Sequence, residues 1–148
     1  MLFRSVWHFS LTAVAQRLMP GWGAVAATTA GVIGILGLLA AAGRRVSLNS
    51  PRYPAFFGMV VASTMLLTPH LQYYEVGILA LPALLGLETI RSEGSTPSIG
   101  LRILVAAAYF SYPLWKLSES LPIQPFFLVL LALFFWSRHL VMAPERTD

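Results

Sequence analysis

Apolar residues fall into long blocks along this chain, and short polar breaks separate them. The first nineteen residues differ from the rest. Trp7, Leu11, Val14, Ala15 and Leu18 recur at helical spacing, while Arg4, His8 and Arg17 interrupt any long apolar run. That pattern predicts an amphipathic helix over 1–20 lying in a membrane interface rather than crossing it. Pro20-Gly21 ends it. A block from about Trp22 to Ala42 follows, long enough to cross roughly 30 Å of hydrocarbon. Its small residues pair at a spacing of four (Ala27 with Gly31, Ala30 with Gly34, Gly37 with Ala41), which suits close helix packing. After a polar loop carrying Arg44, Arg45, Asn49, Ser50, Pro51 and Arg52, four more apolar blocks are expected at about 54–67, 69–87, 100–114 and 122–141. The polar stretch Arg91 to Ser98 separates the third from the fourth. The pattern therefore predicts an all-α fold, a polytopic transmembrane helix bundle of about five spans preceded by an interfacial helix. Residues 1–148 form a single domain in this reading.

Composition agrees. Of 148 residues, 57% are hydrophobic and only 11% charged, where soluble domains carry about 25% charged residues. So few charges cannot wet the surface of a globule, and lipid is the solvent that tolerates the remainder. There is no cysteine, which excludes disulfides and thiolate metal sites. His8, His70 and His139 are too scattered for a metal cluster, and no cofactor is expected. The glycine-rich run from Gly31 to Gly37 lies inside a span, so it is not a phosphate-binding loop. The basic pI of about 10.0 rests on few charges and reads as a topology signal, not as nucleic-acid binding. No uninterrupted apolar core with a cleavage site marks the N-terminus as a signal peptide.

Five spans place alternate loops on opposite faces. One face receives Arg44, Arg45, Arg52, Arg91, Arg102, Arg138 and Arg146, and the other Arg4, Arg17 and Lys116. Basic loops stay cytoplasmic, so the expectation is a multi-pass protein of the cell membrane with its N-terminus extracytoplasmic and its C-terminus cytoplasmic. Were the fourth and fifth blocks one re-entrant unit, the C-terminus would change sides and the turn at Pro69 would not.

Candidate chemistry concentrates at that turn, in Leu66-Leu-Thr-Pro-His-Leu-Gln-Tyr-Tyr-Glu75. Thr68 suits a helix N-cap and Pro69 the first helical position. A helix starting there presents unpaired N–H groups and a partial positive charge to a phosphate. His70 lies in its first turn, and Tyr74 is four residues on, on the same face. Glu75 sits roughly 9 Å deeper than Pro69 and is the only acid expected inside a span. An acid there is costly unless paired or facing water, and intramembrane acids are functional candidates. An aromatic belt accounts equally well for Tyr73 and Tyr74.

Thr68-Pro69-His70, then Tyr74-Glu75 and the apolar run from Val76 to Leu87, resembles a motif of glycosyltransferase family 87. These are mannosyltransferase-like membrane enzymes of the GT-C class that depend on polyprenyl phosphate. The family pattern reads Ser-Pro-His, three variable residues, Tyr-Asp and a leucine-rich helix. The resemblance covers about Ser5 to Leu87. It implies transfer of a hexose, mannose in the family, from a polyprenyl-phosphate donor on the extracytoplasmic side. It also implies donor binding by His70, Tyr74, Arg17, Thr68 and Pro69, with Glu75 as a weaker candidate for the catalytic base. Thr68 replaces Ser and Glu75 replaces Asp. Nothing before Pro20 is acidic, whereas such enzymes carry an essential acid in their first outer loop. The chain is therefore expected to be a C-terminal portion, inactive by itself and completed by the missing N-terminal part or by a partner membrane chain. Two other readings are a non-catalytic small membrane subunit and a transporter fragment using Glu75 and His70.

Overall fold

A computed structural model describes residues 10–68, 78–110, 123 and 125–143. The described residues form six helices and no strand: α1 Leu11–Leu18, α2 Trp22–Gly43, α3 Tyr53–Leu67, α4 Ala80–Ser92, α5 Ile99–Tyr109 and α6 Pro125–Met142.

Local chemistry sets several boundaries. The Ser10 hydroxyl accepts from the Ala13 N–H at 3.3 Å and caps α1. Gly21, at φ 62, takes a conformation that a side chain would resist, and separates α1 from α2. Ser98 caps α5 by accepting from the Leu101 N–H at 3.3 Å. The end of α4 is closed by Gly94 at φ 66. There the Ser95 N–H reaches the Ile90 carbonyl at 3.0 Å and the Gly94 N–H reaches that of Arg91 at 3.0 Å, the paired bonds of a Schellman motif.

The core is built around α3. Its Ala55, Met59, Ala62 and Leu66 are fully buried, and their spacing of four, three and four makes one continuous stripe. Phe126, Leu130, Leu133 and Phe134 of α6 join this stripe in a single apolar core. On another side of α3, a Cβ on Gly58 would stand 3.3 Å from the Cα and carbonyl oxygen of Pro82, so glycine sets the close approach of α4. Trp136 of α6 lies over Gly86 of α4 even more tightly, with ring carbons 2.1 Å from where a Cβ would be.

The expectation of five spans holds only in part. Two helices, α2 and α6, are long and apolar enough to cross a membrane. α3 and α5 are apolar but shorter, with 15 and 11 residues. These reach only about 22 Å and 17 Å at 1.5 Å per residue. The block expected over 69–87 appears as α4, described from Ala80 and continuing to Ser92, so Glu88 and Arg91 are helical rather than in a loop. Glu88 lies one residue past the block expected to span, inside the same helix. The polar stretch begins in effect at Glu93. The helix expected over 1–20 is described as Leu11–Leu18, and the outer part of the block 100–114 lies outside the described residues.

Helices α2 and α6 differ in how they are covered. Of the most apolar window of α6, 39% is buried, against 11% for α2. α1 lies along the first half of α2, where Leu11 fills the space above Gly31. Trp22, Val25, Ile33 and Leu36 of α2 stay exposed.

Candidate functional site

Of the residues expected to bind a donor, Pro69, His70 and Tyr74 lie outside the described residues, and so does Glu75. Thr68 and Arg17 are described, and both stand at the end of the bundle where α2 begins and α3 finishes.

Thr68 is the C-cap of α3, with φ −68 and ψ 116, the extended backbone that a following proline requires. Its N–H reaches the Thr64 carbonyl at 2.9 Å, and its hydroxyl donates to the same oxygen at 2.6 Å. The hydroxyl expected to cap the next helix as an acceptor thus spends its proton on the end of the preceding one and keeps its lone pairs for accepting. Thr64 repeats the arrangement one turn earlier, donating to the Val60 carbonyl at 3.0 Å.

These two threonines stand along a groove of about 360 Å³ lined also by Phe57, Val60, Val61 and Ile78. None of the described residues that line it is charged. With both hydroxyl protons turned into α3, these described residues offer apolar wall and oxygen lone pairs. Arg17 is exposed in the last turn of α1, on a different helix from Thr68. Among the described residues no group of three His, Asp or Glu side chains is placed to hold a metal ion.

A second groove, of about 390 Å³, lies between α1 and α2 and is lined by Thr12, Gln16, Val25, Thr28 and Thr29 among others. Sequence reasoning passed over it. The available signal was that Thr12 and Gln16 sit four apart, and that Thr28 and Thr29 are the only hydroxyl-bearing residues in α2.

Arg52 was also missed, read as one more loop cation. It is 9% exposed and ties together the ends of three helices. From the N-cap of α3, its Nε donates to Glu93 Oε1 at 3.4 Å, just beyond α4. Its Nη1 donates to the carbonyl of Val141 at 3.5 Å in α6 and to that of Ala143 just past it. An arginine at a helix C-terminus satisfies carbonyls that lack intrahelical partners and offsets the negative end of the dipole. The same contacts put the start of α3 and the ends of α4 and α6 at one end of the bundle. Arg44, Arg45 and Arg91 belong to that end by their positions at or beyond the helix termini.

The described residues thus define an all-helical bundle with two helices of membrane-spanning length and two grooves on its flanks. Comparison with protein families, with curated proteins and with solved structures finds no match to this chain.

Proposed function

We propose that the chain is a multi-pass protein of the cell membrane. The observation carrying this is α2, 22 residues long, whose most apolar 18-residue window has a mean hydropathy of 2.1 and is 11% buried. Water would not tolerate such a surface, and lipid does. The gathering of arginines at the Arg52 end supports a cytoplasmic assignment for that end. The N-terminus and the turn after Thr68 then face the extracytoplasmic side.

Within that frame, the chain is the C-terminal membrane portion of a glycosyltransferase that moves a hexose, mannose by resemblance, from a polyprenyl-phosphate donor. The support is the sequence from Thr68 to Glu75 together with the groove ending at Thr68, whose described lining residues carry no charge. In this reading the groove receives the first isoprene units, and Thr68 and Pro69 form the turn at its mouth. Tyr74 lines the donor site, and His70 and Arg17 hold the donor phosphate as negative charge collects on it. Glu75 is the weaker candidate for the base that takes the proton of the acceptor hydroxyl. A partner chain or a preceding segment supplies the acid of the first outer loop. The test is His70→Ala in the complete enzyme, which should lower sugar transfer and leave membrane insertion unchanged. Full transfer by that variant would remove the donor site.

The reading as a non-catalytic subunit is favoured by one observation. A Cβ on Gly34 or Gly37 would meet none of the described residues within 4 Å, which suits the approach of another helix along the second half of α2. Gly34→Leu should then release a partner that co-purifies with the wild-type chain.

A further inference from the structure

We infer that the groove between α1 and α2 binds an uncharged glycerolipid carrying a free hydroxyl, of the diacylglycerol kind. The inference rests on the bilayer placement proposed above and not on glycosyl transfer.

Hydroxyls on apolar helices usually satisfy themselves by donating to the carbonyl four residues back. Ser63, Thr64, Thr68 and Thr89 all do so here, at 2.6 to 3.1 Å. Thr28 and Thr29 do not. Among the described residues, no side-chain hydrogen bond engages Thr12, Gln16, Thr28 or Thr29, although all four line one groove. The bilayer placement sharpens the point. Trp22 is 87% exposed and suits the interface level. Thr28 lies six residues further along the helix, roughly 9 Å deeper. Unbonded polar groups at that depth cost free energy unless something bonds them.

The lining selects the ligand. Its described residues carry no charge, and they give a phosphate or an ammonium group no counter-charge. Three hydroxyls and one primary amide offer both donors and acceptors, matching a hydroxyl flanked by ester carbonyls. Those ester groups sit just beneath the headgroup plane, at the level of the groove. From Val25 in the groove wall, Val32 and Leu36 follow at spacings of seven and four, one stripe along α2 that continues below the groove. Val25 and Leu36 are 54% and 52% exposed. An acyl chain leaving the groove has an apolar track to follow.

The test uses the purified full chain in phosphatidylcholine nanodiscs containing either a photoreactive diacylglycerol or a photoreactive phosphatidylcholine. Crosslinks should map to peptides within residues 10–32 and favour the diacylglycerol probe. The double variant Thr28→Val/Thr29→Val should reduce them about threefold or more, the loss of one or two neutral hydrogen bonds. Gln16→Leu, at an exposed position of α1, should act in the same direction and serves where the double variant fails to insert. Equal labelling by both probes, labelling spread over all helices, or labelling indifferent to these substitutions would overturn the inference alone. A chain that carbonate extracts from its membranes would overturn the bilayer placement together with it.

Discussion

Arg52 and Val141 are 89 residues apart in sequence, yet the guanidinium of the first donates to the carbonyl of the second at 3.5 Å. With Ala143 and Glu93 as further partners, this side chain occupies the junction of α3, α4 and α6. Removing it leaves carbonyls of α6 without a donor in a largely buried place. Arg52→Ala should cost about 2 kcal/mol, seen as a lower midpoint of thermal unfolding in detergent. Arg52→Lys should recover only part, since an ammonium lacks the planar fork. Glu93→Gln should cost less than about 1 kcal/mol, because its side chain is 32% exposed. A Glu93→Gln loss as large as that of Arg52→Ala would mean that the ion pair, not the carbonyl cap, holds the junction.

The contact of Trp136 with Gly86 gives a second prediction. A methyl at position 86 would lie 2.1 Å from the indole. Gly86→Ala should therefore destabilise by about 1–3 kcal/mol despite the better helix propensity of alanine. Trp136→Leu should suppress that penalty in the double variant. Gly34→Ala meets no neighbour among the described residues and should be neutral or stabilising by up to about 1 kcal/mol. Unfolding midpoints of the four proteins compare the two sites directly.

Ser137 is fully buried in α6, and its Oγ has no hydrogen-bond partner among the described residues. A buried hydroxyl that finds no partner costs desolvation and returns nothing. Ser137→Ala should leave stability unchanged or raise it by about 1 kcal/mol. A clear loss of stability would show that the hydroxyl has a partner in the folded protein.

Orientation is open to a simple chemical test, because the chain contains no cysteine. Ser47→Cys lies in the exposed turn after α2, and Met19→Cys lies at the other end of that helix. In intact cells a membrane-impermeant maleimide should label the cysteine at 19 and spare the one at 47. The reverse pattern would invert the proposed topology and put the turn after Thr68 in the cytoplasm.

The helices that sequence predicted best are those with chemical fences on both sides. The block expected from Trp22 to Ala42 is α2, Trp22–Gly43, bounded by Gly21 and by Arg44-Arg45. α3 begins one residue before its expected start, with Pro54 in its first turn, and ends as expected at Leu67. α4 was misjudged at its end, because Glu88 and Arg91 looked like loop residues. A helix persists through polar residues while its backbone bonds are made, and what stops α4 is the backbone of Gly94. Of the five expected spans, α2 and α6 have membrane-spanning length among the described residues, and the blocks at 69–87 and 100–114 are described only in part. Whether a short apolar helix meets lipid or neighbouring helices depends on packing, and α3 is central to the core. The candidate site was legible only as residue types. That the Thr68 hydroxyl donates backwards, and that Arg52 is buried rather than solvated, are consequences of tertiary placement that no spacing encodes.

The Arg52 junction also constrains the order in which the chain can be assembled during synthesis. α1 and α2 are neighbours in sequence, so Leu11 can settle on Gly31 as soon as both helices have left the ribosome. Arg52 emerges soon afterwards, but its partners do not. Glu93 follows 41 residues later, and the carbonyls of Val141 and Ala143 follow 89 and 91 residues later. Until then the guanidinium must stay hydrated or pair with lipid phosphate. The base of the bundle therefore closes only once nearly the whole described chain has been translated, and nascent chains stalled before α6 would expose α3, the helix most fully buried at the end.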